Sequence, residues 1–151
     1  MAIDSKYTNA DILACRLARY YNTRHGIGFV AVGNFPGFDI SFKDGVKAEV
    51  KFDIQAETTG RAAIEFEFKG KPSGILSTTS DIWLHCFTQM KAEMVFEIPT
   101  KALLVLCLET DGFTYGGDNG ASKMKLIPLG KLKGIATQIF EIPRFNGGSQ
   151  S

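Results

Sequence analysis

The sequence predicts an α/β domain with a mixed central sheet flanked by helices. Three observations predict it: an amphipathic helix near the start, a strand hairpin with a period of two, and an alternation of helix and strand patterns in the second half. No linker, repeat or low-complexity block divides the 151 residues. We therefore expect a single domain over residues 1–145 and a disordered tail, "NGGSQS", at residues 146–151.

Composition and charge are those of an ordinary globular protein. Hydrophobic residues make up 44% of the chain and charged residues 22%, and the formal net charge is +1. A nearly neutral chain offers no global attraction for nucleic acid or for a membrane surface. Any polyanionic partner therefore has to be held by a local basic patch.

The cysteines and the N-terminus indicate a reducing compartment. Cys15, Cys86 and Cys107 lie far apart among apolar neighbours and form no CxxC pair, so we expect buried, reduced thiols rather than a zinc site. The N-terminus lacks the apolar stretch of a signal peptide, and the longest apolar run, "ALLVLCL", is too short to cross a bilayer. We expect a cytoplasmic protein.

A helix begins the domain and a strand follows it. In "TNADILACRLARYYN", Thr8 is placed to cap the helix, Asp11 follows three residues later, and apolar residues recur at helical spacing. "GIGFVAVG" then predicts a short and largely buried strand.

The stretch "FDISFKDGVKAEVKFDI" predicts a hairpin of two strands. Lys43-Asp44-Gly45 is a tight-turn signal, because glycine tolerates the positive φ that hairpin turns require. From Val46 to Ile54, apolar residues alternate with charged ones. One face of the hairpin is therefore expected in the core, and the other face carries the charges.

The rest of the chain predicts further strands and helices. "RAAIEFEFKG" repeats the alternation, with Glu65 and Glu67 on its polar face. Other predicted strands are "EMVFEIP" and "KMKLIPL", and the predicted helices are "STTSDIWLHCFTQMK", "TKALLVLCLE" and "GKLKGIATQIFEI".

Asp39, Glu49 and Lys51 share the charged face of the hairpin. Two carboxylates on neighbouring strands offer the hard oxygen ligands that Mg²⁺ prefers, and they leave positions for a phosphate oxygen and a water. Lys51 follows Glu49 on the same face, roughly 6.5–7 Å along the strand. There its ammonium can orient or help to deprotonate the water and offset charge developing on the phosphate. The carbonyl of Val50 is a further candidate ligand.

This arrangement resembles the signature of the PD-(D/E)xK nuclease superfamily, which includes restriction enzymes and Holliday-junction resolvases. An Asp, a hairpin turn and then Glu-x-Lys ("FDI…AEVK") match its motif. The order of elements, over roughly residues 7–135, matches a restriction-endonuclease-like core of helix, three antiparallel strands, helix, strand and helix. "TTGRAAIEFEFKGKPSGILSTTSDIW" is also similar to a stretch of small phage-type nucleases.

The resemblance implies a metal-dependent endodeoxyribonuclease. Asp39, Glu49 and Lys51 would be its catalytic residues, and Asp39, Glu49 and Val50 its metal ligands, with Mg²⁺ as the cofactor and Mn²⁺ as a substitute. The implied partner is DNA, either branched or a specific duplex site. A homodimer or higher homo-oligomer is implied as well, because cutting both strands requires two active sites.

Contacts to DNA phosphates require Lys or Arg side chains clustered around such a site. The candidates in this sequence are Arg16, Arg19, Arg24, Lys69, Lys71 and Lys123.

The chain departs from the family pattern in two places. Phe38 precedes Asp39 where the family has Pro, although Pro36 stands just upstream. Many resolvase-like members carry a Glu on the first helix, where this chain offers Asp11. Whether Asp11, Glu65 or Glu67 joins the site stays open at this point.

Other interpretations also stay open. Alternating charges on a strand are typical of a solvated face. A catalytically inactive nucleic-acid-binding or assembly module of the same fold is the alternative function, although such a module is expected to lose one of the three residues. A small-molecule enzyme is disfavoured, because the sequence has no recognisable nucleophile–base pair and "GGDNGAS" matches no nucleotide-binding loop. His25 and His85 are single histidines with no partner at ligand spacing.

Overall fold

A computed structural model describes residues 9–142 of the chain as a set of packed helices and strands. The helices are α1 (Asn9–His25), α2 (Ala56–Thr59), α3 (Thr100–Glu109) and α4 (Leu129–Ile135). The strands are β1 (Phe29–Phe35), β2 (Phe38–Phe42), β3 (Lys47–Phe52), β4 (Arg61–Phe68), β5 (Lys71–Pro72), β6 (Ile82–Gln89), β7 (Ala92–Pro99), β8 (Thr114–Gly116), β9 (Ser122–Pro128) and β10 (Gln138–Ile142).

A six-stranded mixed sheet runs through the middle of the described residues, in the order β1-β2-β3-β6-β7-β10. β1, β2 and β3 form an antiparallel meander, and β3 pairs with β6 in parallel. β7 pairs with β6 and with β10, in both cases antiparallel. The structure therefore has the mixed α/β architecture that the sequence predicts.

The two faces of this sheet are covered by different elements. On one face lies α1, whose Leu13, Leu17 and Tyr21 recur at helical spacing and pack against residues such as Ile40 and Val50. The other face packs against α3, α4 and a second sheet. Side chains that alternate along a central strand therefore point either to α1 or to the second sheet.

The second sheet has four antiparallel strands in the order β5-β4-β9-β8. Ala62, Ile64 and Phe66 form the buried face of β4, with the alternation that its sequence predicts. β4 and β5 lie in the connection between the parallel strands β3 and β6, which has to cross over one face of the central sheet.

The helix predicted over residues 77–91 is wrong, because this segment contains a strand instead. β6 occupies Ile82–Gln89 and pairs with β3 on one side and β7 on the other. Every residue from Trp83 to Phe87 is buried, because both faces of this strand are covered. A strand buried on both faces carries apolar residues at successive positions, as Trp83 and Leu84 or Cys86 and Phe87 do, so it lacks the period of two by which strands are recognised.

The last predicted helix, residues 130–142, is wrong in its second half. α4 ends at Ile135, and β10 then adds an edge strand next to β7. Ile142 is buried while the preceding Glu141 is exposed, which fits the alternation of a strand.

Exposure differs from the prediction at two places. β1 is an edge strand in which Val30 is 69% exposed, so it is not largely buried. Cys86 and Cys107 are buried free thiols, but Cys15 is exposed on α1. Burial raises the pKa of Cys107 to about 11 and that of Cys86 further, which keeps both thiols protonated at neutral pH.

The predicted α1, α3, β7 and β9 are confirmed as elements of the expected type. Thr8 and residues 146–151 lie outside the described residues, so the helix cap and the disordered tail stay predictions. None of the described helices combines the length and the hydropathy needed to cross a membrane.

Candidate active site

The β2–β3 hairpin sets up the candidate site. Its turn contains Gly45 at a φ of 93°, as the turn signal predicts. Ala48 and Val50 point into the core beneath α1. Glu49 and Lys51 alternate with them and therefore point to the other face of the sheet.

β2 and β3 separate where their ladder ends, and Asp39 fills the gap. The last pair of that ladder is Ile40 with Ala48, so Asp39 and Val50 lie just beyond it. Asp39 Oδ2 accepts a hydrogen bond from the Val50 N–H at 2.7 Å, in place of a strand partner. The N–H and C=O of one strand residue point to the same side, so the Val50 carbonyl faces the same gap.

Glu49 is held by two neighbours. Its Oε2 lies 3.3 Å from the Lys51 Nζ, and its Oε1 lies 3.2 Å from the Thr78 hydroxyl oxygen. The Glu49 side chain is 13% exposed and the Lys51 side chain 41%. The carboxylate is therefore fixed in the wall of the site, while the ammonium reaches solvent.

These groups meet at one cavity of about 240 Å³. Asp39, Glu49 and Lys51 all line it, and so does Val50. Asp11, in the first turn of α1, lines the same cavity. The first helix thus contributes an acid to the site, although the acid is Asp rather than Glu.

Burial raises the pKa of Asp39 to about 6. The hydrogen bond from the Val50 N–H opposes this rise, the negative charge of Glu49 adds to it, and the Lys51 ammonium opposes it. The cavity therefore holds a carboxyl group that ionises close to neutral pH. A cation between Asp39 and Glu49 would favour the ionised form.

Three consecutive residues with hydroxyl side chains, 78–80, precede β6 and contact the site. The Gly37 carbonyl oxygen accepts the Thr79 N–H at 3.0 Å, and it lies within hydrogen-bonding distance of three hydroxyls, those of Thr78 at 3.0 Å, Thr79 at 3.3 Å and Ser80 at 2.9 Å. Because the Thr78 hydroxyl is also within reach of Glu49, this segment ties the β1–β2 turn to the carboxylate. Sequence reasoning missed Thr78, since "STTS" matches a helix cap and carries no signal of so distant a partner.

The donors in the cavity suit a hydrated Mg²⁺ ion. Asp39 and Glu49 offer carboxylate oxygens and Val50 a backbone carbonyl, and Mg²⁺ is commonly bound through one or two carboxylates together with water and substrate phosphates. Asp11 lines the cavity, yet no three His, Cys, Asp or Glu side chains within residues 9–142 form a group that could hold a metal ion. Such an ion would therefore depend on two carboxylates, water and substrate.

Comparison with known proteins does not place the chain in a family. No family model matches it, and no curated protein matches it significantly. The geometry of the cavity is therefore what supports a function for this chain.

Glu65 and Glu67 belong to the second sheet and do not line the cavity. Glu65 accepts hydrogen bonds from the hydroxyls of Ser73 at 2.5 Å and Ser122 at 2.7 Å. Glu67 Oε2 lies 3.8 Å from the Lys123 Nζ. Both acids are therefore engaged within their own sheet.

His85 is a buried residue with both ring nitrogens bonded. Its Nδ1 accepts a hydrogen bond from the Trp83 indole at 3.2 Å, so its Nε2 carries the proton and donates to Asp53 Oδ2 at 3.1 Å. Asp53 also accepts the backbone N–H groups of Ala56 at 3.2 Å and Ala63 at 2.9 Å. His85 is therefore a structural residue that joins β6 to the end of β3.

The six basic residues proposed from the sequence form two groups. One group lies on α1 and lines a groove of about 450 Å³, and it consists of Arg16, Arg19 and Arg24. The other group lies on and beside the second sheet, and it consists of Lys69, Lys71 and Lys123. Since α1 and the second sheet cover opposite faces of the central sheet, the six side chains do not form one continuous patch.

Proposed function

We propose that this protein is a metal-dependent endonuclease that hydrolyses phosphodiester bonds in DNA and belongs to the PD-(D/E)xK superfamily. The supporting observation is that Asp39, Glu49 and Lys51 line one cavity, with the Lys51 Nζ 3.3 Å from Glu49 Oε2. Hydrolysis of a phosphodiester benefits from acids that hold a cation and from a cationic donor beside the phosphate. The cavity offers both.

Each of these residues has a distinct role in the proposal. Asp39, Glu49 and the Val50 carbonyl would hold Mg²⁺ or Mn²⁺, which supplies charge neutralisation and polarisation at the scissile phosphate. Thr78 keeps Glu49 from rotating away, because its hydroxyl is 3.2 Å from Glu49 Oε1. The exposed Lys51 ammonium positions the attacking water and offsets the charge that develops on the phosphate.

The start of the fold supports the same proposal. α1 packs across the β1-β2-β3 meander, as in the core that the resemblance implies. The chain departs from that core after β3, where α2, β4 and β5 replace a single helix before β6.

The proposed partner is DNA, with contacts at the Arg group of α1 and the Lys group of the second sheet. We also propose a homodimer, because cutting both strands requires two active sites.

The test is cleavage of DNA in the presence of a divalent cation. Purified protein is incubated with Mg²⁺ and with linear duplex, single-stranded and four-way-junction DNA in parallel. Cleavage should require Mg²⁺ or Mn²⁺ and stop in excess chelator, whereas Ca²⁺ should bind and support little turnover because its geometry is looser.

A pair of matched variants completes this test. Glu49→Gln should lose cleavage, while Glu67→Gln, an acid on a strand outside the cavity, should keep it. Full activity in excess chelator would rule out the proposed chemistry. Binding of DNA without cleavage under any metal would favour the inactive binding module.

A further inference from the structure

A second and larger cleft borders the proposed catalytic cavity. It has a volume of about 480 Å³ and lies between the end of β3 and the β8–β9 side of the second sheet. Lys51 lines both the cleft and the catalytic cavity. A group bound in the cleft would therefore be an immediate neighbour of a phosphate held at Lys51.

The walls of the cleft carry large apolar side chains that are open to solvent. Tyr115 is 63% exposed, Ile54 77% and Phe52 42%, and all three line the cleft. Gly116 and Gly117 follow Tyr115 and add flat backbone to the same wall. Exposed apolar groups gathered in a concave site are typical of a surface that binds a ligand.

The lining of the cleft carries more basic than acidic side chains. Arg61 and Lys51 line it, with Lys51 also 3.3 Å from Glu49, and the acid that lines it, Asp53, is engaged in hydrogen bonds within the protein. Both Asp53 oxygens accept hydrogen bonds, Oδ1 from the Ala56 N–H and Oδ2 from His85 and a further backbone N–H. The cleft therefore combines an exposed aromatic ring with cations, which is the combination that single-stranded nucleic acid binds.

The cavities around β3 share their walls, which suits an extended ligand. A third cavity, of about 360 Å³, shares Phe52 and Ile54 with the cleft and Ala10 with the catalytic cavity. The three cavities thus surround the C-terminal end of β3. A chain of nucleotides can occupy adjoining cavities of this kind, whereas a compact small molecule would fill one.

We propose that the cleft binds an unpaired nucleotide of the DNA strand that is cut, with its base stacked on Tyr115 and its phosphate beside Arg61. This inference rests on the proposed nuclease function and adds a preference for single-stranded or branched DNA. In a duplex the faces of the bases are covered by their neighbours, so only an unpaired base can enter the cleft.

The test measures binding in excess chelator, so that it does not depend on cleavage. The probes are a single-stranded oligodeoxythymidine of about ten nucleotides and the same oligomer with abasic central positions. Fluorescence anisotropy of the labelled oligomers gives the dissociation constants. Tyr115→Ala should weaken binding of the intact oligomer roughly tenfold and leave the abasic oligomer unaffected, because the stacking surface is lost.

Three further variants sharpen this test. Tyr115→Phe keeps the ring and should keep the affinity, and Arg61→Ala should weaken both oligomers alike. Leu108→Ala, an equally exposed apolar residue on α3 at 65%, should change neither.

Equal affinity of Tyr115→Ala and the parent would overturn the proposal, as would equal weakening of the intact and abasic oligomers. If the parent shows Tyr115-dependent binding but cuts no DNA with Mg²⁺, the nuclease function fails and the base-binding cleft stands. If it cuts duplex and single strands equally and Tyr115→Ala has no effect, the cleft fails and the nuclease function stands.

Discussion

The environment of Asp39 both raises and lowers the pKa of its carboxyl group. Burial and the charge of Glu49 favour the neutral acid, while the Val50 N–H and the Lys51 ammonium favour the carboxylate. The first pair prevails, so the pKa of Asp39 is raised to about 6. A carboxyl group whose folded pKa exceeds its unfolded value stabilises the fold at low pH, and that contribution is lost as pH rises through 6. Ionised Asp39 therefore destabilises the fold at neutral pH.

Asp39→Asn should raise stability at neutral pH and abolish metal binding. Asn keeps an oxygen for the Val50 N–H but has no charge to repel Glu49. We expect a gain of about 1 kcal/mol in the free energy of unfolding near pH 7.5, less than the full pKa shift implies because the side chain is partly solvated. Near pH 4 the gain should vanish.

Urea unfolding at the two pH values measures this effect, and Mg²⁺ should raise the melting temperature of the parent but not of Asp39→Asn. If Asp39→Asn lost stability at both pH values, the ionised Asp39 carboxylate would stabilise the fold rather than destabilise it, and the prediction would be wrong.

The β1–β2 turn positions the site through Gly37. Its φ is 84°, and a Cβ there would lie 2.4 Å from the Thr79 Oγ1. Its carbonyl oxygen also lies 3.0 Å from the hydroxyl oxygen of Thr78, and Thr78 in turn contacts Glu49. The turn, the segment before β6 and the carboxylate therefore behave as one structural unit.

Gly37→Ala should destabilise the protein by about 1–3 kcal/mol and slow cleavage, because the turn has to move away from Thr79. Gly45→Ala is the matched control, since Gly45 also has a positive φ but a Cβ there meets nothing within 4 Å. Thermal unfolding and cleavage rates should separate the two variants. Equal effects on both would mean that backbone strain alone matters at Gly37.

The hairpin could be predicted from sequence because its turn and its alternation are local. The grouping of Asp39, Glu49 and Lys51 follows from the same register. β6 could not be predicted, because its apolar run is buried on both faces by elements distant in the chain. The role of Thr78 and the raised pKa of Asp39 were equally inaccessible, since both depend on packing between such elements.

At the scale of the whole molecule, Asp53 at the end of β3 connects the two sheets. Its carboxylate connects β3 to α2, to β4 of the second sheet and to His85 of β6. Burial opposes ionisation of Asp53, but the hydrogen bonds from His85 and the Ala63 N–H prevail and lower its pKa below the usual value. Asp53 therefore contributes stability above its unfolded pKa, and this contribution is lost as pH falls through the folded pKa.

Asp53→Asn should cost about 1–3 kcal/mol of stability at neutral pH, because hydrogen bonds to a buried carboxylate are weakened. The difference from the parent should shrink at acidic pH. Asp44→Asn is the control, since Asp44 accepts one exposed backbone hydrogen bond, from Val46. Denaturant unfolding across pH measures both variants, and an equal, pH-independent loss for the two would refute the role of Asp53.

The nuclease proposal is tested most directly by Lys51→Ala, assayed for cleavage and for DNA binding in parallel. Since the proposal assigns Lys51 a role in the transition state, cleavage should fall about a hundredfold or more, while affinity changes little. Lys71→Ala and Arg24→Ala should do the reverse, weakening binding and reducing its salt dependence. If Lys51→Ala cuts DNA as fast as the parent protein, Lys51 is a solvated strand residue and the proposed active site is wrong.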